Sequence, residues 1–220
     1  MKHISQILPT AIKELSKGQT ITAPSPAPSS PDKQRRWLDK WLQLQSHHPE
    51  IIRLENSAYV FCVGYKGSPD IGKRMVIYGG SGNGKSHTGK KIVSWANKIA
   101  MNLPTVPVGT GTQMKVPDAI FCHWPSIVDG FKDGQWDLLD YLEASLLVID
   151  DIGAEHDPSG VGKQKLYMML EHRAKKWTVI TTNFPPTEWE NKFEIRTSDR
   201  LMRNCDLVDM SNVPSFVTVV

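Results

Sequence analysis

Apolar residues in this chain gather into short dense blocks, and between the blocks they recur every three or four positions. Arg74-Met75-Val76-Ile77-Tyr78, Ala119 to Cys122 and Leu146 to Ile149 are such blocks, and Thr178 to Thr182 is a further strand-like segment. Runs that stay apolar at consecutive positions mark strands buried on both faces. Helical periodicity follows the first block, from about Lys85 to Ala100. It returns from Gly162 to Lys175, where Leu166, Met169 and Leu170 fall on one side. Strands that alternate with helices predict an α/β fold, a parallel sheet sandwiched by helices.

The pattern ahead of the first block is different. Ile7, Leu8, Ile12 and Leu15 lie near helical spacing, with Pro9 suited to a first turn and Gly18 to an end. A helix this short does not persist alone in water, so it must dock on something. Thr20 to Pro31 is rich in Pro and Ser and predicts an extended tether of roughly 3 Å per residue. Asp32 can cap a helix that carries Trp37, Leu38, Trp41 and Leu42 as a packing stripe. His47-His48 before Pro49 reads as a turn rather than a metal site, and Pro104, Pro107, Gly109, Gly111 and Pro117 make a turn-rich connection. Four parts are therefore expected: an arm at 1-18, a tether at 19-31, a helical lead-in at 32-72 packing on the core, and the core at 73-220.

Composition narrows the class without naming a function. At 220 residues, 40% hydrophobic and 22% charged, the chain has the balance of a water-soluble globular protein. A net charge of +3 is too mild to argue for nucleic acid. Cys62, Cys122 and Cys205 are scattered, which favours a reduced, cytoplasmic protein without structural zinc. No apolar run is long enough for a membrane span, and Pro9 breaks the only stretch resembling a signal peptide.

The chemistry begins where the first block ends. Gly79-Gly80-Ser81-Gly82-Asn83-Gly84-Lys85-Ser86 is a G-x-x-x-x-G-K-S phosphate-binding loop. Its glycines let successive backbone N–H groups converge on phosphate oxygens. Lys85 is placed to reach the β- and γ-phosphates, and the Ser86 hydroxyl to ligate Mg²⁺. The following helix points its positive end at the same anion. Leu146-Leu147-Val148-Ile149 ends in Asp150 and Asp151, at the sheet edge where the loop also opens. Asp150 is the candidate to hold Mg²⁺ through water, and Asp151 to orient and deprotonate the attacking water, with Glu155 a second candidate base. Asn183 follows another buried block and is placed to bond the γ-phosphate or that water; a plain turn before Phe184-Pro185-Pro186 is the alternative. Arg196, Arg200 and Arg203 lie on one short predicted helix, with Arg196 and Arg200 on the same face. Arginine forks there suit a neighbour's phosphate, or else form a solvated basic face.

The GGxGxGKSH loop (Gly79 to His87), LLVIDDIGAE (Leu146 to Glu155), Thr181-Thr182-Asn183 and Asp199-Arg200-Leu201 together resemble the DnaC/DnaI/IstB branch of AAA+ ATPases, the replicative helicase loader family. The similarity runs from about Lys73 to Met210. It implies an AAA+ P-loop NTPase core that binds ATP and Mg²⁺ and forms a homo-oligomer when ATP is bound. It casts Asn183 as sensor 1 and Arg200 as arginine finger, with Arg196 accessory or alternative, and adds His87 to the nucleotide-contacting loop. Trp124 to Glu143 occupies the place of an element that faces single-stranded DNA, where Phe131 and Lys132 are the candidate contacts. The chain ends soon after Arg200, so no C-terminal lid domain is expected. The implied function is ATP-dependent loading of a replicative DNA helicase, with residues 1-31 as a recruiting element. An IstB-type regulator of DNA transposition and, more remotely, a small-molecule P-loop kinase are the alternatives.

Overall fold

A computed structural model describes residues 48–67, 72–101, 119–132 and 138–216. The expected arm, tether, Trp37–Leu42 helix and turn-rich connection lie outside the described residues.

Among the described residues thirteen segments follow in order, of which five are strands: α1 (Pro49–Gly67), β1 (Arg74–Tyr78), α2 (Lys85–Met101), β2 (Ala119–His123), α3 (Trp124–Lys132), α4 (Leu139–Glu143) and β3 (Leu146–Ile152), then α5 (Val161–His172), β4 (Trp177–Thr182), a 3₁₀ turn (Pro186–Glu188), α6 (Trp189–Phe193), α7 (Ile195–Met202) and β5 (Cys205–Asp209). The strands form one parallel sheet in the order β2-β3-β4-β1-β5. Both faces are covered, and the alternation along each strand divides the core in two. Met75, Ile77, Leu146, Val148 and Val179 pack under α1 and α2, together with Ile51, Leu54, Phe61 and Ile92. Val76, Leu147, Ile149 and Ile180 pack under the other helices, against Trp124, Ile127, Leu166, Leu170, Trp189 and Leu201. Dense apolar blocks are what such two-sided burial requires. The α/β sandwich expected from the block pattern is the observed architecture.

α1 starts on Pro49, whose missing N–H costs nothing in a first turn, and the His48 carbonyl accepts the N–H groups of Ile51 and Ile52 at 3.1 Å. The helix lies on the sheet so closely that a Cβ on Gly64 would meet Trp177 Cη2 at 2.9 Å. Phe61 meets the same indole edge-on, 4.8 Å between centroids.

Three expectations need correction. β5 was not anticipated: Cys205-Asp206-Leu207-Val208-Asp209 is an edge strand with only Val208 buried, so it lacks a dense apolar block. α5 ends at His172 rather than Lys175, because Arg173 leaves helical geometry and buries its guanidinium beneath β4. Arg203 lies beyond the end of α7, in extended backbone before a left-handed Asn204 (φ 48°) that turns the chain into β5. Among the described residues, no helix is long and apolar enough to cross a membrane.

Candidate functional site

The order of strands decides the site. β4 lies between β1 and β3, so Asn183 at its end stands between the loop that follows β1 and the acidic pair that ends β3.

The loop leaves β1 through Gly79, Gly82 and Gly84 at φ 138°, 76° and 96°, values that favour residues without a Cβ. At Gly79 a Cβ would sit 2.6 Å from the Met210 carbonyl carbon. Residues 81–87 then line a cleft together with Asp151 and Asn183. Gly80 is exposed at the loop's entry. Asn83 uses its side chain inward: Nδ2 donates to the Met210 carbonyl at 2.9 Å, and Oδ1 accepts from Lys85 at 3.1 Å. It anchors the loop to the chain leaving β5. His87 lines the same cleft, and burial with nearby Lys91 pushes its pKa down.

Lys85 Nζ donates to the carbonyls of Gly79 (2.8 Å) and Gly80 (2.7 Å) and to Asn183 Oδ1 (2.9 Å). With Asn83 Oδ1, these four acceptors are all neutral oxygens. Burial pushes the ammonium's pKa down to about 8 against the pull of Asp151 and Asp150. An anion brought to this loop supplies the missing counter-charge.

Asp150 is nearly fully buried. Its Oδ1 accepts from the Thr181 hydroxyl at 2.7 Å, and it also bonds the Ser86 side chain. Burial holds its carboxyl above the usual range, opposed by those two bonds. A carboxylate beside a hydroxyl is the hard-oxygen donor set that Mg²⁺ takes, so the residues present fit that ion.

Asp151 departs from the strand. β3 and β4 run in register from Leu146↔Trp177 to Ile149↔Ile180 and then slip to Ile152↔Thr182. Asp151 adopts φ 63°, a left-handed conformation costing an L-residue about 1–2 kcal/mol and Asp among the least. Asn183 Nδ2 donates to its Oδ1 at 3.1 Å. Lys85, Asn183 and Asp151 thus form one hydrogen-bonded line across the cleft.

Other candidates are placed differently. Glu155 turns back to accept the Gly153 N–H at 2.7 Å, closing the turn after β3 rather than lining the cleft. Phe131 meets Trp124 edge-on at 6.2 Å and lies under Lys165 Nζ at 5.8 Å, so its ring is a packing surface of α3; the Lys132 side chain lies outside the described residues. Arg196 is exposed. Arg200 pairs with Glu171 on α5 and with Asp199, and its carbonyl accepts from Arg74 at the start of β1. It therefore lies toward the end of β1 opposite the phosphate loop, a separation of about 13 Å along the strand. Sequence reasoning missed Thr181 as a partner of the acidic pair. Its only signal was the polar pair Thr181-Thr182 inside a buried block, and its role depends on strand register.

A five-stranded parallel sheet with a glycine loop after β1, an acidic pair after β3 and a polar amide after the strand between them is an α/β fold that matches those of AAA+ P-loop proteins. Solved structures share this fold. A crystal structure of the DnaC helicase loader superposes with TM-score 0.59 at 18% identity, covering 77% of this chain and 98% of that one. DnaI superposes with TM-score 0.54 at 18% identity, over 73% and 82% of the two chains. The replication initiator DnaA bound to AMPPCP and single-stranded DNA gives TM-score 0.52 at 16% identity, over 73% and 50%. At these identities the likeness is one of fold. No protein-family model and no curated protein matches the chain.

Proposed function

We propose that this protein is an ATP-hydrolysing replication factor that loads a replicative helicase onto DNA, working as an oligomer with ATP held between subunits. The observation that carries the ATPase part is the line Lys85–Asn183–Asp151, set beside the buried Asp150. The loader part is supported by the match to nearly the whole DnaC helicase loader chain.

In this reading the loop amides and Lys85 hold the phosphates, and Ser86 and Asp150 hold Mg²⁺. Held there, Mg²⁺ would supply positive charge against that of the phosphates. Asn183 hands its bonds with Lys85 and Asp151 to the γ-phosphate and the attacking water. Asp151 orients that water and takes its proton. An α7 arginine, Arg200 with Arg196 beside it, serves the neighbouring subunit's phosphate, because in its own subunit it lies toward the opposite end of the sheet. Its pairing with Glu171 and Asp199 is a surface contact, of the kind that is exchanged readily.

The test is turnover and loading with the full chain. Weak basal ATPase should rise with single-stranded DNA or with a replicative helicase, and the chain should promote assembly of that helicase on closed single-stranded circles. Lys85→Ala should remove nucleotide binding and all of these effects. Retained binding and turnover in Lys85→Ala would sink the site, whereas partnership with a transposase instead of a helicase would sink the loader reading.

A further inference from the structure

Adjacent residues of a regular strand point to opposite faces of the sheet, yet Asp151 lines the cleft and its neighbour Asp150 bonds Ser86, which lines it too. The bulge reconciles these demands. Between Ile149↔Ile180 and Ile152↔Thr182, two acidic residues stand opposite the single residue Thr181. Thr181 is buried, and a hydroxyl has one proton to give and two lone pairs to offer. The proton goes to Asp150 Oδ1 at 2.7 Å. A lone pair accepts the Asp151 backbone N–H at 2.9 Å, a donor that an unbulged ladder would spend on a strand carbonyl. With that bond in place Asp151 sits at φ 63°, and its carboxylate meets Asn183 Nδ2.

We propose that Thr181 is a positioning residue for the hydrolytic pair. Its one hydroxyl ties the Asp150 carboxylate and the Asp151 backbone together, keeping the first toward Ser86 and the second toward Asn183. This rests on the ATPase reading of the site. Valine fills the same space without the hydroxyl. Asp150 then loses a donor, Asp151 loses the acceptor for its amide, and the bulge can relax toward regular pairing, which carries the Asp151 side chain out of the cleft. The neighbouring hydroxyls do other work: Thr182 donates to the Ile152 carbonyl at 2.9 Å, and Thr178 accepts from Arg173 Nε at 3.1 Å. Thr178 therefore provides a control on the same strand, away from the carboxylates.

The experiment compares Thr181→Val, Thr181→Ser and Thr178→Val in the full chain, with Thr181→Ala in place of valine if valine does not fold. Hydrogen exchange at the Asp151 amide, in nucleotide-free protein, reads the contact without turnover. Thr181→Val should accelerate that exchange by about tenfold or more while leaving the rest of the sheet protected. Its kcat should fall about 10- to 100-fold, as when an outer partner of a metal ligand is lost, with KM for ATP changed by less than about threefold. Thr181→Ser should restore both readouts, and Thr178→Val should lower thermal stability with kcat retained. Unchanged exchange at Asp151 in Thr181→Val overturns the proposal. So does a serine variant as impaired as valine, or an equal kcat loss in Thr178→Val. If the wild-type chain hydrolyses no ATP under any condition, the ATPase reading fails separately, and the amide exchange still decides whether Thr181 holds the pair.

Discussion

In the proposed reading, Lys85 makes nucleotide binding a proton-linked event. In the nucleotide-free protein, burial holds its pKa at about 8, well below an ordinary lysine. A triphosphate in the loop favours the charged form and returns the pKa to the ordinary range or above. Binding should then take up about 0.1, 0.5 and 0.9 proton at pH 7, 8 and 9, the fraction of neutral Lys85 at each pH. The same fractions weaken apparent affinity about tenfold between pH 7 and pH 9, or roughly 1.4 kcal/mol. The sign for folding follows from the same shift. Between about pH 8 and the ordinary lysine value the folded state binds fewer protons than the unfolded one, so this residue's contribution to stability rises with pH across that window. Calorimetric titration with a non-hydrolysable ATP analogue, in buffers of different ionisation enthalpy, counts the protons directly. Lys85→Arg, charged throughout, should show no uptake at pH 8 or 9 if it still binds. Zero uptake by the wild type at pH 8, or an affinity flat from pH 7 to 9, would refute the reasoning.

Two further expectations follow from other parts of the molecule. Arg173 is buried and donates to the carbonyls of Tyr141, Leu142, Ala144 and Trp177 and to the Thr178 hydroxyl. Arg173→Met strands those acceptors and should cost about 4 kcal/mol or more in chemical denaturation; a loss below about 1 kcal/mol would mean that water or repacking satisfies them. On the proposed intersubunit site, mixing Asp151→Asn with Arg200→Ala subunits should regain turnover that neither has alone, each supplying what the other lacks. No gain at any ratio, or gain only with Arg196→Ala, would remove Arg200 from that role.

Much of the core was legible because its physics is local. The phosphate loop needs glycines at fixed offsets from Lys85 and Ser86, and the structure puts Gly79, Gly82 and Gly84 at positive φ. Apolar runs marked β1 to β3, and the β-branched sequence Thr178 to Thr182 marked β4. β5 escaped notice because an edge strand is half exposed, so Cys205 to Asp209 reads as ordinary polar chain. Glu155 looked like a possible base on sequence proximity alone, but a carboxylate two residues past a turn glycine can reach back to that glycine's N–H. Arg203 looked helical because i, i+3 and i+4 spacing continues past Met202, and nothing local announced the left-handed Asn204.

By itself, then, the sequence singled out the candidates for the chemistry: a lysine and serine behind glycines, two carboxylates after a buried strand, and an amide after the next. Their convergence was decided only by tertiary structure. β4 inserts between β1 and β3, although it comes after both in the chain, and this puts Asn183 between Lys85 and Asp151. The bulge opposite Thr181 lets Asp151 line the cleft while its neighbour Asp150 bonds Ser86 at the cleft's edge, against the alternation that a regular strand imposes. Both effects depend on register between segments distant in the chain, which no local pattern of residues encodes.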